Sequence, residues 1–247
     1  MKMTGNTSFE IVPRGELTPT QADEMFQLLA QHFDGVTRAQ FTRDLAEKNW
    51  VVLIRRDERL VGFSTLLVFE SVFDGEPVSA VYSGDTIVAR EAWGSTALAR
   101  GWITAVNQLR GHYPNGKYYW LLLTSGFRTY RFLPVFWREF FPRHDTPTPA
   151  DTKRLRDQLA TERFGSQYDS RSGIVRFLHP QQLHGKLKLI PAERISDPHV
   201  AFFQSHNPGH PQGDELVCLT ELCPENLTAA GRRMAAPRTD ETLCHHC

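Results

Sequence analysis

Hydrophobic positions along the first half of the chain alternate between short apolar blocks and stripes at helical spacing. Ser8–Val12 (SFEIV) reads as a short strand, ended by Pro13, Gly15 and Pro19. Thr18 stands as an N-cap with Gln21 three residues on, and Met25, Phe26, Leu28, Leu29 and Phe33 make one apolar helical stripe. Thr37 caps a second, shorter helix carrying Phe41 and Leu45. Trp50–Ile54 (WVVLI) and Leu60–Phe69 (LVGFSTLLVF) read as a hairpin around the polar turn at 56–59. Asp74-Gly75 marks the next tight turn, and Val78–Val88 is a long strand rich in β-branched residues. Trp93–Leu109 predicts a helix with Leu98, Trp102, Ile103 and Val106 on one face. Tyr118–Thr124 (YYWLLLT) predicts a buried strand, and Thr129–Phe141 an aromatic helix interrupted by Pro134.

After Pro142 the composition shifts. Asp145–Asp151 reads as a linker, Thr152–Arg163 as a polar helix, 166–173 as a loop and 174–178 as a strand. His199–Gln204 and Glu215–Leu219 are expected to pair as a closing hairpin, with a polar, frayed tail from Ala229 on. The organisation expected is a core over 1–142, an insertion over 143–196, a hairpin over 197–228 that completes the sheet, and a tail over 229–247. Antiparallel strands followed by a strand–helix–strand unit imply an α+β fold with a mixed, mostly antiparallel sheet flanked by helices.

Composition narrows the function classes. With 28 basic and 28 acidic residues among 247, no overall field favours nucleic acid or a membrane surface. The first nine residues hold no apolar secretory core, and no apolar run is long enough to span a bilayer. Cytoplasmic residence is the simplest expectation. Four cysteines in a chain this long make no disulfide scaffold. Cys244-His245-His246-Cys247 is poorly spaced for one ion, so no metal is expected. Cys218 lies on an apolar strand as a core thiol, and His184, His206 and His210 read as loop histidines.

The segment after Thr86-Ile87-Val88 is Ala89-Arg90-Glu91-Ala92-Trp93-Gly94-Ser95-Thr96. Small residues there let backbone amides approach an anion at the positive end of a helix. Together with the element order, this stretch resembles the GNAT superfamily of acyl-CoA-dependent acyltransferases over about residues 8–141. The family pattern is Gln/Arg-x-x-Gly-x-Gly/Ala. Ala92 and Gly94 match its small positions, whereas Ala89 replaces the basic or amide residue and Arg90 falls one place late. The resemblance implies that Ile87 and Val88 offer backbone groups to pantetheine. It also implies that Ala92, Trp93, Gly94, Ser95 and Thr96 cradle the pyrophosphate.

Transfer to an amine needs a proton acceptor, and Asp85, in an apolar strand just before that loop, is the candidate base. Strand alternation places Ser83, Asp85 and Ile87 on one face, and Gly84 marks a bulge, which the resemblance implies splays this strand from the next to admit the cofactor. Ser83 and Glu70 are candidate substrate-binding residues, and Ser125, opening the loop after the buried strand, is a further cofactor contact. The family's Asn-x-x-Ala-x-x-x-Tyr pattern, laid from Ser125, ends on Phe132, so the tyrosine that reprotonates the leaving thiolate is missing. Tyr130 is the nearest replacement. The resemblance implies acetyl-CoA or another short acyl-CoA as co-substrate and a small-molecule amine as acceptor. A carrier-protein-bound acyl donor, or a GNAT-like binding module without catalysis, are the alternatives. The basic insertion, with Lys153, Arg154, Arg156 and Arg163, is a candidate lid over the acceptor side or a surface for homodimer formation.

Overall fold

A computed structural model describes residues 7–92, 96–185 and 189–236. The N-terminal half runs β1 (Thr7–Pro13), α1 (Pro19–Ala30), β2 (Phe33–Asp34), α2 (Arg38–Ala46), β3 (Trp50–Arg56), β4 (Arg59–Phe73) and β5 (Glu76–Val88). The centre runs α3 (Ala97–Leu109), β6 (Lys117–Thr124), α4 (Phe127–Tyr130) and α5 (Phe132–Phe136). The remainder is α6 (Ala150–Phe164), β7 (Tyr168–Asp169), β8 (Ile174–Val175), β9 (Gln182–Leu183), α7 (Pro198–His206), β10 (Glu215–Glu221) and α8 (Ala229–Ala235).

Eight strands form one sheet in the order β1-β3-β4-β5-β6-β10-β8-β7, and β2 pairs separately with β9. Within the large sheet β5 and β6 are parallel, joined through α3, and the other pairs are antiparallel. This is the mixed α+β architecture that the element order implies. Local chemistry sets the joints. Thr18 and Gln21 form a reciprocal capping box at α1. Asp57-Glu58 and Asp74-Gly75 carry left-handed backbone at both central turn positions, which matches the twist of the hairpins they close.

Alternation sorts the sheet's side chains into two layers. Val52, Leu66, Trp120 and Leu122 meet α3 through Trp102, Ile103 and Val106. On the other face Val51, Leu53 and Phe63 meet α1 and α2 through Met25, Leu29, Phe41 and Leu45. Farther along that face Tyr82, Leu121, Leu123 and Val217 meet α6 through Leu155, Leu159 and Phe164. Each such side chain, fully buried, contributes about 1.5–3 kcal/mol. Among the described residues no helix is long and apolar enough to cross a membrane.

Three expectations are corrected. His199–Gln204 is helical: Asp197 accepts from the amide of His199, Pro198 opens the helix, and Val200 and Phe203 bury one side. β10 therefore joins the sheet between β6 and β8, without a hairpin partner at 199–204. The aromatic stretch 129–141 breaks into α4 and α5, and Trp137 adopts extended backbone. Past that point Phe141 bridges to Leu219 of β10. The expected tail begins with α8, capped by Thr228 and held to α3 by Arg100, whose guanidinium donates to the Arg233, Met234 and Ala236 carbonyls. Cys218 is a buried thiol as expected, and Cys244–Cys247 lies outside the described residues.

Candidate functional site

The site originates in one extra residue in β5. Its register with β4 runs Ser64↔Thr86 and then Leu66↔Ser83, so Gly84 and Asp85 together oppose Thr65. Pairing of β5 with β6 ends at the same place, at Ser83↔Leu122, while β6 goes on to pair Leu123 and Thr124 with β10. The bulge predicted at Gly84 is present, and beyond it β5 and β6 part. A cavity of about 730 Å³ lies there, walled by β5 from Tyr82 to Val88, by Leu122–Gly126, by Leu98 and Trp102 of α3, and by residues of α2 and α6.

The bulge also breaks the alternation. Ser83 stays on the α3 face, where its Oγ accepts from Trp120 Nε1 at 2.9 Å. Asp85 lies on the opposite face with Tyr82, both facing Lys48 beyond the end of α2. The expectation that Ser83 and Asp85 share a face is therefore corrected. Gly84 is needed for space. A Cβ there would lie 2.6 Å from Lys48 Cε and 2.8 Å from Thr65 Oγ1, so only glycine lets Lys48 lie across the bulge. Lys48 Nζ donates to the Asp44 carbonyl at 2.8 Å, a cation on the C-terminal carbonyls of a helix. Tyr82 is flanked by Lys48 Nζ and Arg163 Cζ, each 5.3 Å from its ring centroid.

Two carboxyls stand on this cavity wall. Burial pushes Asp85 up to about 6; Lys48 pulls it back and Asp44 adds to the rise. Burial pushes Glu215, at the start of β10, up to about 8, with Asp85 adding to it. Both groups are partly exposed and line the cavity. Burial lowers Lys48, and Asp85 opposes that shift. Glu215 therefore holds its proton more tightly than Asp85, and of the two carboxyls Asp85 ionises first as pH rises.

The C-terminal segment closes the cavity over these groups. β9 pairs with β2, His184 donates its amide to the His32 carbonyl, and its ring lies 3.1 Å from Asp34. Arg163 of α6 pairs with Glu47 just past α2. The bulk of α6 is anchored by Leu155, Leu159 and Phe164 and by a two-point contact of Arg154 with Asp74 at 3.0 and 2.6 Å.

The candidate residues divide clearly. Asp85, Ile87, Val88, Ser83 and Ser125 line the cavity. Ala92 is buried against the α1–α2 layer, and Trp93, Gly94 and Ser95 lie outside the described residues. Thr96 caps α3 without a side-chain cap bond. Tyr130 is not brought to the cavity: it is fully buried, and its hydroxyl donates to the Pro142 carbonyl at 3.0 Å. Phe132, where the family pattern ends, does line the cavity. Glu70 is also elsewhere, opposite Ser79 near the far end of the β4–β5 hairpin, and accepts from Asn115 at 3.1 Å. Lys48 and Glu215 were missed from sequence, and Arg163 was singled out only as one of four basic residues of the insertion. Their signals, a lysine after a helix end, an arginine in a polar helix and an acid opening an apolar strand, have no fixed spacing to Asp85.

No protein-family model matches the sequence, and no curated protein is significantly similar to it. Solved structures with similarity include a conserved protein of unknown function from Enterococcus faecalis V583, described as a probable N-acyltransferase. It is 15% identical with a TM-score of 0.41, over 64% of this chain and 44% of that one. Escherichia coli ElaA is 15% identical with a TM-score of 0.39, over 58% and 93%. The Escherichia coli GNAT family N-acetyltransferase YhbS, in complex with CoA, is 16% identical with a TM-score of 0.36, over 49% and 65%. The chain thus spans less than half the length of the Enterococcus protein, and its likeness to all three is one of fold.

Proposed function

We propose that this chain is an N-acyltransferase that moves an acetyl or other short acyl group from acyl-CoA to the amine of a small molecule. The observation that carries the reading is the sheet opening at Gly84–Asp85, directly beside a cavity whose wall holds a buried carboxylate. A thioester arm laid between β5 and β6 would meet the edge of β5 where β6 no longer pairs with it. Holding acyl group and amine together in this cavity supplies much of the rate.

Asp85 takes a proton from the acceptor ammonium, the freed nitrogen attacks the thioester carbon, and the C–S bond breaks with its electrons on sulfur. The half-raised acidity of Asp85 suits this step, since it is ionised at neutral pH yet basic enough to hold the proton. Ile87 and Val88 serve pantetheine, and the start of α3, with Thr96 and the preceding 93–95, serves the diphosphate. The lining by Phe33, Phe164 and Trp102 favours an acceptor with an apolar body.

Thermal melts with CoA, acetyl-CoA and a phosphopantetheinylated carrier protein test the donor. A ligand at about 100 times its Kd adds roughly 2.7 kcal/mol. The expected result is a shift with CoA and acetyl-CoA, and thiol release with a primary amine that is lost in Asp85→Asn. A response to the carrier alone would replace CoA as donor. CoA binding with no turnover across an amine panel would make the chain a binding module.

A further inference from the structure

We propose that Glu215 is a second catalytic carboxyl, the group that hands its proton to the departing CoA sulfur. The proposal rests on the acyl-CoA reading and fills the gap in it. A donor there helps because sulfur leaves more readily as a thiol than as a bare thiolate away from bulk solvent. The position the family reserves for a tyrosine holds Phe132, which has no proton to give. The hydroxyl of Tyr130 is buried and committed to the Pro142 carbonyl.

Glu215 is placed for the role by the sheet. β10 lies against β6 with Leu216 opposite Thr124, so Glu215 stands just past the end of β6, at the mouth where β5 and β6 part. Alternation along β10 puts it on the same face as Val217 and Leu219, the face that also carries Tyr82. Among the described residues no donor hydrogen-bonds its carboxyl, which lines the cavity.

The groups facing it come from every wall. β5 contributes Asp85 and Tyr82, α6 contributes Arg163, and Lys48 and Asp44 come from the end of α2. Glu47, next to Lys48, and Arg128 and His179 complete the ionisable lining. Asp85 is the charge that acts on Glu215, and it raises it further. Tyr82 is a poor alternative donor. Burial pushes its phenol far above the usual range, and Lys48 and Arg163 cover its ring.

The protons balance. Asp85 receives the first proton from the ammonium, and the nitrogen–carbon bond forms. The C–S bond then breaks, the electron pair goes to sulfur, and the Glu215 proton bonds the sulfur. The Glu215 carboxylate is restored by the second proton of the protonated amide nitrogen, and Asp85 releases its own to solvent.

The test uses the full chain, wild type and Glu215→Gln, a neutral isostere that keeps the wall's charge at neutral pH. Infrared difference spectra should show a protonated carboxyl band that moves when CoA binds but not when desulfo-CoA binds, and that is absent from Glu215→Gln. With the amine giving most thiol release, kcat should fall by about 100-fold or more in Glu215→Gln. The basic limb of its pH profile should vanish while the acidic limb stays. A melting temperature for Glu215→Gln at or above that of wild type at neutral pH would confirm that folding is intact. A band indifferent to the CoA sulfur, or a Glu215→Gln profile that keeps both limbs, overturns the role of Glu215 and leaves the acyltransferase reading standing. Failure of CoA to bind wild type overturns both.

Discussion

Gly84→Ala asks whether the bulge, the lysine and the base form one device. The new Cβ would sit 2.6 Å from Lys48 Cε and 2.8 Å from Thr65 Oγ1. Ordinary contact between such atoms is about 3.5–4.0 Å, so Lys48 must withdraw by roughly 1 Å or more. Its bond to the Asp44 carbonyl, 2.8 Å long, is then lost. That bond is worth about 1 kcal/mol. Thr65 is buried in β4 and cannot yield freely, and overpacking of this kind costs about 1–3 kcal/mol. Together the expected loss of stability is about 2–4 kcal/mol. Lys48 is also the cation that holds Asp85 down to about 6. Its withdrawal should raise that carboxyl by roughly one pH unit, the low end of what a nearby opposite charge contributes. Urea denaturation reads the first effect, and the acidic limb of thiol release against pH reads the second. Wild-type stability together with an unmoved acidic limb would refute the coupling.

The remaining predictions concern single groups. In wild type, activity should rise with pH through about 6 as Asp85 ionises, and Asp85→Asn should lose that limb in a pH profile. Asp85 and Glu215 both titrate higher folded than unfolded, so the unfolded chain ionises first and stability falls as pH rises from about 4 toward 8. Asp85→Asn should therefore match wild type near pH 4 and exceed it by up to about 3 kcal/mol at pH 7 in denaturation curves. Tyr130→Phe removes only the bond to Pro142, so it should cost about 1 kcal/mol and leave kcat unchanged. Trp120→Phe should cost about 3 kcal/mol, because it removes the bond to Ser83 and opens the stack with Trp102, whose ring centroid lies 4.1 Å away.

The sheet was legible because its signals are local. β-branched runs between Asp-Gly and Asp-Glu turns define hairpins without reference to the rest of the chain. The bulge was legible for the same reason, and so was the proposed base, since Gly84-Asp85 is a polar break in an apolar strand. Capping chemistry identified α1, yet the same chemistry at Asp197-Pro198 was outweighed by the aromatic and β-branched content of 199–204, and α7 was mistaken for a strand. Lys48, from beyond α2, and Glu215, from β10, meet Asp85, and Arg163 of α6 meets Lys48 and Tyr82, through tertiary packing alone, and no sequence interval encodes those meetings. Tyr130 shows the converse. It sits two residues from the family position, but the short α4 turns its ring toward Phe140, Phe202 and Phe203 and away from the cavity.

The most direct measurement is the structure of the chain soaked or co-crystallised with CoA. The pantetheine arm is predicted to run between β5 and β6 beyond the Ser83–Leu122 pair, with its sulfur beside Gly84–Asp85 and its diphosphate at the start of α3. CoA bound away from that opening, or a cleft that stays empty at CoA concentrations well above a millimolar, would contradict the account.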